Sequence, residues 1–459
     1  MVEKAFPSGQ VVVDIEPQTW HRVPTLIRQG RDQIYDPVLV SLGPYYRGQS
    51  RFKKVEDLKA QIVDEVLSSS SDGRQNLQDE IRRGLDGIRN FYGGRGGAAD
   101  KYGDEELTEM MLRDACFLVY CMKTMTVHQD QKHCIVHHHL GMSRVAFVVR
   151  DFFMLENQLP FWIIKTLVSL TSQDYHQALP AANSDDNDHG NNGCETFFCN
   201  LMRSMITGDS DSQQETKTPL HLLDARRTTF LQQKEIMKNS CQVNKDNSSC
   251  QCFFKSRDDT KKKEKRKKMT NNPFRSVTDL KAKGIHFRPS SYCLTDIKFC
   301  SHSFYGKLRL PILSLDKKTN VIFSNIIALE MCPDSGTDFA VISYVKFMKS
   351  LIEKAEDVKE LREKSIIMSC LASDEEVVKM FKEFNTDGSC GKDMFREIRE
   401  RINQHCNSKS KTFKAELIHT YFRSPWTAIA LFAAILILCI NCLNFILNYY
   451  RAHSKTKRD

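Results

Sequence analysis

The chain carries none of the short signatures that mark a catalytic or nucleotide-binding site: no GxSxG, Walker or GxGxxG element stands in a fitting context. Hydrolase, nucleotidase and dehydrogenase readings therefore have no specific residue behind them, and neither catalytic residues nor a cofactor is expected. The N-terminus, MVEKAFPSGQVVVDIEPQTW, lacks the basic start, apolar stretch and small-residue cleavage site of a secretory leader. It also lacks the arginine-rich amphipathic pattern of a transit peptide, so synthesis is expected to begin in the cytosol. No internal repeat is present, which sets repeat architectures aside.

What is present is enough for a core. With 459 residues, 41% hydrophobic and 27% charged, the chain can build one large or two ordinary domains. Its 16 cysteines form no compact framework, so reduced, mostly buried thiols are expected rather than disulfides. The net charge of +9 collects partly in one basic run, Lys261, Lys262, Lys263, Lys265, Arg266, Lys267 and Lys268. Such a run favours acidic partners or anionic lipid head groups, although a solvated loop is the plainer reading. Without aromatic interleaving or a recognisable module, no nucleic-acid partner is expected. A glycosylation acceptor, Asn247, lies in a polar loop and would be used if that loop were lumenal.

The longest apolar stretch lies near the C-terminus. Residues 424–450 hold no charged side chain, and 426–447 read as a single membrane-spanning helix. Its anchoring side chains would be Trp426, Leu431, Phe432, Ile435, Leu436, Leu438, Leu443 and Leu447, with a short basic tail at 451–459. Asn441, Asn444 and Asn448 fall on one face, where they could pair two copies or a partner's span, or reach interfacial water. The expectation is a single-pass membrane protein, tail-anchored with its large domain cytosolic. Basic residues balance on the two flanks, so exposure outside the cell at the plasma membrane stays open as the alternative.

Along the rest of the chain, residues 1–19 read as a flexible N-terminus and 20–48 as an extended, turn-punctuated entry. Helical periodicity covers 51–67, 76–91, 105–126 and 145–170, with Pro160 expected to kink or divide the last. Loose polar insertions are expected at 181–193 and 239–272. Residues 276–315 turn to short β-prone runs that fit a small sheet. Helical period returns after 320, most clearly over 344–361, where Met348, Leu351, Ile352, Ala355 and Val358 make one stripe. The fold class expected is mainly α with a small β element, an α+β domain at 20–420, followed by the single C-terminal transmembrane helix.

Several blocks occur in a fixed order: HRVPTLIR with YDPVLVSLGPYYRG, then RDFFMLENQLPFWIIKTL, PLHLLDARR, SVTDLKAKGIHF, LRLPILSL, SNIIALEMC, ISYVKFMKSLI, ASDEEVVKMF and HTYFRSPWTAIALFAAI. Together they cover nearly the whole chain from about residue 20, and in this order the chain resembles the plant domain-of-unknown-function 247 family. The resemblance implies a mainly helical plant membrane protein with one C-terminal span and no established activity. Because some grass members are implicated in pollen–stigma self-incompatibility, it also suggests recognition of an unknown protein partner rather than catalysis. A membrane-surface scaffold that binds anionic lipid, and an enzyme with an unrecognised site, are the competing classes.

Four clusters remain as candidate chemistry. His133, Cys134 and His137 are the best metal candidates, since His133 and His137 would share a helix face, but no complementary pair exists elsewhere and a solvated loop is the plainer reading. Cys250 and Cys252 are one residue too close for a zinc knuckle. Residues 374–402 imitate a calcium-binding helix–loop–helix, yet counting from Asn385 puts Cys390 where glycine is needed and Arg396 where a bidentate glutamate belongs. In LENQLP, Glu156, Asn157 and Gln158 stand among apolar neighbours, and a buried structural hydrogen-bond network is their natural use.

Overall fold

Asp104–Thr126 forms the helix around which the N-terminal half assembles, with side chains from Leu107 to Met122 buried on most of its circumference. A helix buried on most sides shows only weak amphipathic contrast, as this one does. In the computed structural model, which describes residues 22–68, 72–126, 135–171, 194–207, 218–232, 275–302, 304–332, 335–387, 393–407 and 425–455, this is α4. Before it come α1 (Lys53–Leu67), α2 (Gly73–Arg83) and α3 (Leu85–Phe91). After it come α5 (Met142–Asp151), α6 (Phe161–Leu170), α7 (Cys194–Thr207) and α8 (Leu222–Gln232). Helices α1, α2, α6 and α7 all pack on α4.

Two expected helices are divided, each for a local reason. The helix expected over 76–91 breaks at Gly84, where a Cβ would lie 2.7 Å from Trp162 Cζ2 of α6. The 145–170 stretch is two helices, with Pro160 at the N-cap of α6 and 152–160 a turn-rich link between them.

The C-terminal half begins with α9 (Val277–Ala282), whose N-cap Ser276 accepts the Asp279 amide. A three-stranded sheet follows: β1 (Ile285–Pro289), β2 (Lys298–Ser301) and β3 (Gly306–Leu310), in the order β1-β3-β2. Strand β1 runs parallel to β3 with Ile285 opposite Gly306, and β2 runs antiparallel to it with Ser301 opposite Gly306. A short β4 (Leu313–Leu315) pairs in parallel with β5 (Ile367–Ser369), which returns after α10 (Lys317–Met331), α11 (Ala340–Leu351) and α12 (Ala355–Glu363). Helices α13 (Asp374–Glu383) and α14 (Arg396–Asn407) follow, with α14 packed on β2. Ile285, Phe287, Phe299, Leu308 and Leu310 point from the sheet into a hydrophobic core continuous with that of the helical half.

The stripe expected over 344–361 is likewise two helices, α11 and α12. They part at Ile352–Lys354, where Asp357 accepts the amides of Glu353 and Lys354 at 3.1 Å each and of Thr278 at 2.8 Å. At the start of α10, Asp316 and Thr319 cap each other reciprocally, the Thr319 amide donating to Asp316 Oδ1 at 2.7 Å. Asp316→Ala is expected to cost about 1 kcal/mol in urea-unfolding free energy, and no shift of the midpoint would remove this cap from the stability of α10.

The mainly helical fold with small sheets stands, but its transmembrane part is corrected. A helix, α15 (Pro425–Lys455), does form over the apolar stretch. Among the described residues, no helix is long and apolar enough to cross a membrane. The expected anchor residues Phe432, Ile435, Leu436, Leu438, Leu443 and Leu447 are exposed on this helix, as are Asn441 and Asn444. The side chains of Trp426, Leu431 and Asn448 lie outside the described residues.

Candidate functional site

The LENQLP segment between α5 and α6 is a buried polar clamp on the entry segment 22–46. Asp151, at the end of α5, accepts three successive backbone amides with Oδ2: Val38 at 3.0 Å, Leu39 at 2.7 Å and Val40 at 3.0 Å. Asn157 accepts the Leu42 amide at 2.6 Å and donates to the Val40 carbonyl at 3.0 Å. Glu156 accepts from the Val23 amide, from Arg28 Nη2 at 2.6 Å and from the Tyr46 hydroxyl at 3.1 Å. Gln158 donates to the carbonyls of Phe152 and Met154 and accepts the Leu223 amide, and its own carbonyl takes the Tyr92 hydroxyl at 2.8 Å. The network is structural, as a run of polar side chains inside an apolar stretch requires.

Below it, Lys59 and Asp114 form a fully buried ion pair at 2.6 Å. Gly43 closes the turn above them in the left-handed region, at φ 68°, and a Cβ there would lie 2.6 Å from the Tyr92 hydroxyl. Burial pushes the Tyr92 phenol well up and raises the Asp114 carboxyl from its ordinary range, while Asp151 is pushed up to about 6 despite its three amide donors. These groups are shifted because they are buried, and they face protein rather than solvent.

The open chemistry lies on the solvent face of the three-stranded sheet. Strand alternation sends His286 and Arg288 of β1, Lys298 and Cys300 of β2, and Lys307 and Arg309 of β3 outward. The register sets Arg288 opposite Arg309 on one side and Lys298 opposite Arg309 on the other, making a row of three cations across the strands. A second row places His286 beside Lys307 and Lys307 beside Cys300. Lys298 is paired with Asp296. Among the described residues, neither Arg309 nor Lys307 has an ion-pair partner, and Arg288 makes only a long bond to the Phe287 carbonyl. Like charges directly opposite one another destabilise a sheet, so this arrangement works against folding.

Aromatics border the same face. The β2–β3 turn carries Phe304, 56% exposed, and Tyr305, 41% exposed. Tyr305 stacks on His302 at 4.6 Å between centroids and tilts against His286 at 5.6 Å. His286, Arg288, Tyr305 and Lys307 line a concavity of about 280 Å³. Burial and the charges of Arg288, Lys364 and Lys281 hold the His286 imidazole below its usual value, so it reports a positive field while staying neutral at pH 7. A neighbouring hollow of about 340 Å³ between α9 and α12 is lined by mixed charges, including the Lys281–Glu360 pair. On the inner side of β2, Ser301 Oγ and His405 Nδ1 lie 2.7 Å apart and tie α14 to the sheet.

Of the metal candidates, His137 sits on the short helix Ile135–Leu140, and His133 and Cys134 lie outside the described residues. So do Cys250 and Cys252, the acceptor Asn247 and the basic run 261–268. Among the described residues no group of three His, Cys, Asp or Glu is arranged to hold a metal ion. The helices flanking the calcium-loop imitation are α13 and α14, with the Asp387 amide donating to Asn385 Oδ1 at 3.1 Å in an Asx turn, while Cys390 lies outside the described residues. The cation row was missed in the sequence because its members are spread over β1, β2 and β3, and only the register brings them together. The alternation in IHFRP and KLRL was its one local signal.

Comparisons with known proteins agree with the sequence blocks. A putative UPF0481 protein of Arabidopsis thaliana is 29% identical over 167 residues, 36% of this chain and 31% of that relative, so the chain matches less than a third of that protein's length. A second Arabidopsis thaliana UPF0481 protein is 24% identical over 445 residues, 92% of this chain and 84% of the relative. No solved structure matches. Residues 21–440 match a family described as a plant protein of unknown function. The chain belongs to the plant domain-of-unknown-function 247 family.

Proposed function

We propose that the protein acts by recognition rather than catalysis, and that it engages a protein partner through the solvent face of the β1-β3-β2 sheet. The observation that carries this reading is the row Arg288–Arg309–Lys298 across three strands, an arrangement that costs folding free energy. An exposed charge cluster kept against that cost fits an anionic surface on a partner. Phe304 and Tyr305 beside it add the aromatic anchors that interfaces favour. The strongly perturbed carboxyls at Asp114 and Asp151 are fully buried and hold amides of the entry segment, which leaves them no solvent-facing oxygen for substrate. Pollen–stigma self-incompatibility, suggested by the family resemblance, is one setting in which such a surface would act.

The reading is tested by placing a photo-crosslinking amino acid at Phe304 and expressing the full chain in plant tissue. A discrete adduct that disappears in the Arg288→Glu/Arg309→Glu variant supports it. An adduct pattern indifferent to that charge reversal would remove the sheet face from recognition.

A further inference from the structure

We propose that the concavity formed by His286, Arg288, Tyr305 and Lys307, together with Arg309, the register partner of Arg288, binds a compact soluble ligand: a single ring carrying at least two phosphate groups. This rests on the reading of the sheet face as a recognition surface and adds a small-molecule site within it. Three observations converge on it.

The first is charge geometry. Arg288 and Arg309 are register partners on adjacent strands, about 4.8 Å apart along the hydrogen-bonding direction, so two guanidinium forks can close on one tetrahedral anion. Lys307 lies two residues before Arg309 on the same face of β3, about 7 Å along the strand, and offers a point charge to a second phosphate. One phosphate would satisfy only the arginines, whereas two on neighbouring ring carbons reach both positions.

The second is shape. A hollow of about 280 Å³ holds one substituted ring. The third is the wall. Tyr305, held by stacking on His302, presents its ring beside the cations and can lie against the C–H face of a sugar or cyclitol while its hydroxyl hydrogen-bonds a ring substituent. The imidazole of His286, neutral in this field, adds a donor or acceptor without adding charge.

A site of this kind has a signature that a structural role would not produce. The cations repel each other when the site is empty, so removing one should leave folding intact or improve it while weakening binding. The experiment is isothermal titration of the full chain with myo-inositol hexakisphosphate and myo-inositol trisphosphate at physiological salt, with citrate and sulfate as controls and with the free headgroup set against phosphoinositide vesicles. Saturable binding of the inositol phosphates is expected, weakened about tenfold or more by Arg309→Gln or Arg288→Gln and less by Lys307→Gln or Tyr305→Leu. The glutamine variants should melt no lower than the wild type.

Three results would overturn the proposal: no saturable binding of either inositol phosphate, equal binding of citrate, or binding to vesicles without binding of the free headgroup. If one of these occurs and the Phe304 adduct still depends on Arg288 and Arg309, the ligand assignment falls and the recognition surface stands. If the adduct is also indifferent to those arginines, both fall.

Discussion

Lys59→Met is expected to lower the unfolding free energy by about 3–5 kcal/mol, a large share of the roughly 5–15 kcal/mol that holds a domain folded. The ammonium of Lys59 is fully buried and donates to Asp114 Oδ1 and Glu56 Oε1, each at 2.6 Å, and to the Ser41 carbonyl. Removing it leaves Asp114 as a buried carboxylate whose remaining partner is the Gly43 amide at 2.7 Å. Such a group must stay charged without compensation or take up a proton, and both routes weaken the native state. The double variant Lys59→Met/Asp114→Leu removes the orphaned charge as well, and should be less destabilised than Lys59→Met alone by about 1–4 kcal/mol. Urea midpoints of the four members of this cycle check the prediction. A single-variant loss below about 1 kcal/mol would mean that the pair is not a buried one in solution.

Asp151 gives the second large effect, and it depends on pH. Burial pushes its carboxyl up to about 6, above the ordinary value of about 3.9. Because the folded value is the higher one, folding favours the protonated form. The stability this group contributes is therefore present below about pH 4 and lost as pH rises through about 6, on the order of 2–3 kcal/mol in all. Asp151→Asn keeps an acceptor for the amides of Val38, Leu39 and Val40 and cannot ionise. Relative to wild type, it should gain that amount between about pH 4 and about pH 6.5. Asp151→Ala strands three amides, that of Val40 buried, and should lose about 1–3 kcal/mol. If the stability–pH curves of the Asp151→Asn variant and the wild type run parallel, Asp151 does not titrate in this window.

Much of the helical half was readable because burial imposes a period. The ends of α1 and α4 fall within two residues of the expected bounds, and the polar residues of LENQLP announced a network by standing where apolar residues belong. The divisions at Gly84 and at Ile352–Lys354 were hidden, since the apolar period continues through both. Gly84 makes room for the Trp162 ring, and the Asp357 side chain caps the second break. Strand β5 was missed because its three residues acquire meaning only against β4, more than 50 positions earlier. The reading of 426–447 as a span rested on its apolar length and on the family resemblance, and among the described residues no helix meets the length and apolarity that a span requires. The candidate site was the least visible element, because its cations come from three short strands and no local window contains more than two of them.

The entry segment has a consequence for synthesis. Its ties run far ahead in the chain: Leu39 to Asp151, Ile34 to Asn325 and Arg31 to the Glu383 carbonyl, the last across 352 positions. A ribosome adding about 5–20 residues per second needs roughly 20–70 s to deliver Glu383 after Arg31. Through that interval Tyr35, Val40 and Leu42, which end almost wholly buried, have no complete surface to enter. The nascent chain must therefore be shielded by chaperones or left loosely collapsed until its second half emerges. A transcript cut short before α13 would yield a product that cannot close its own beginning.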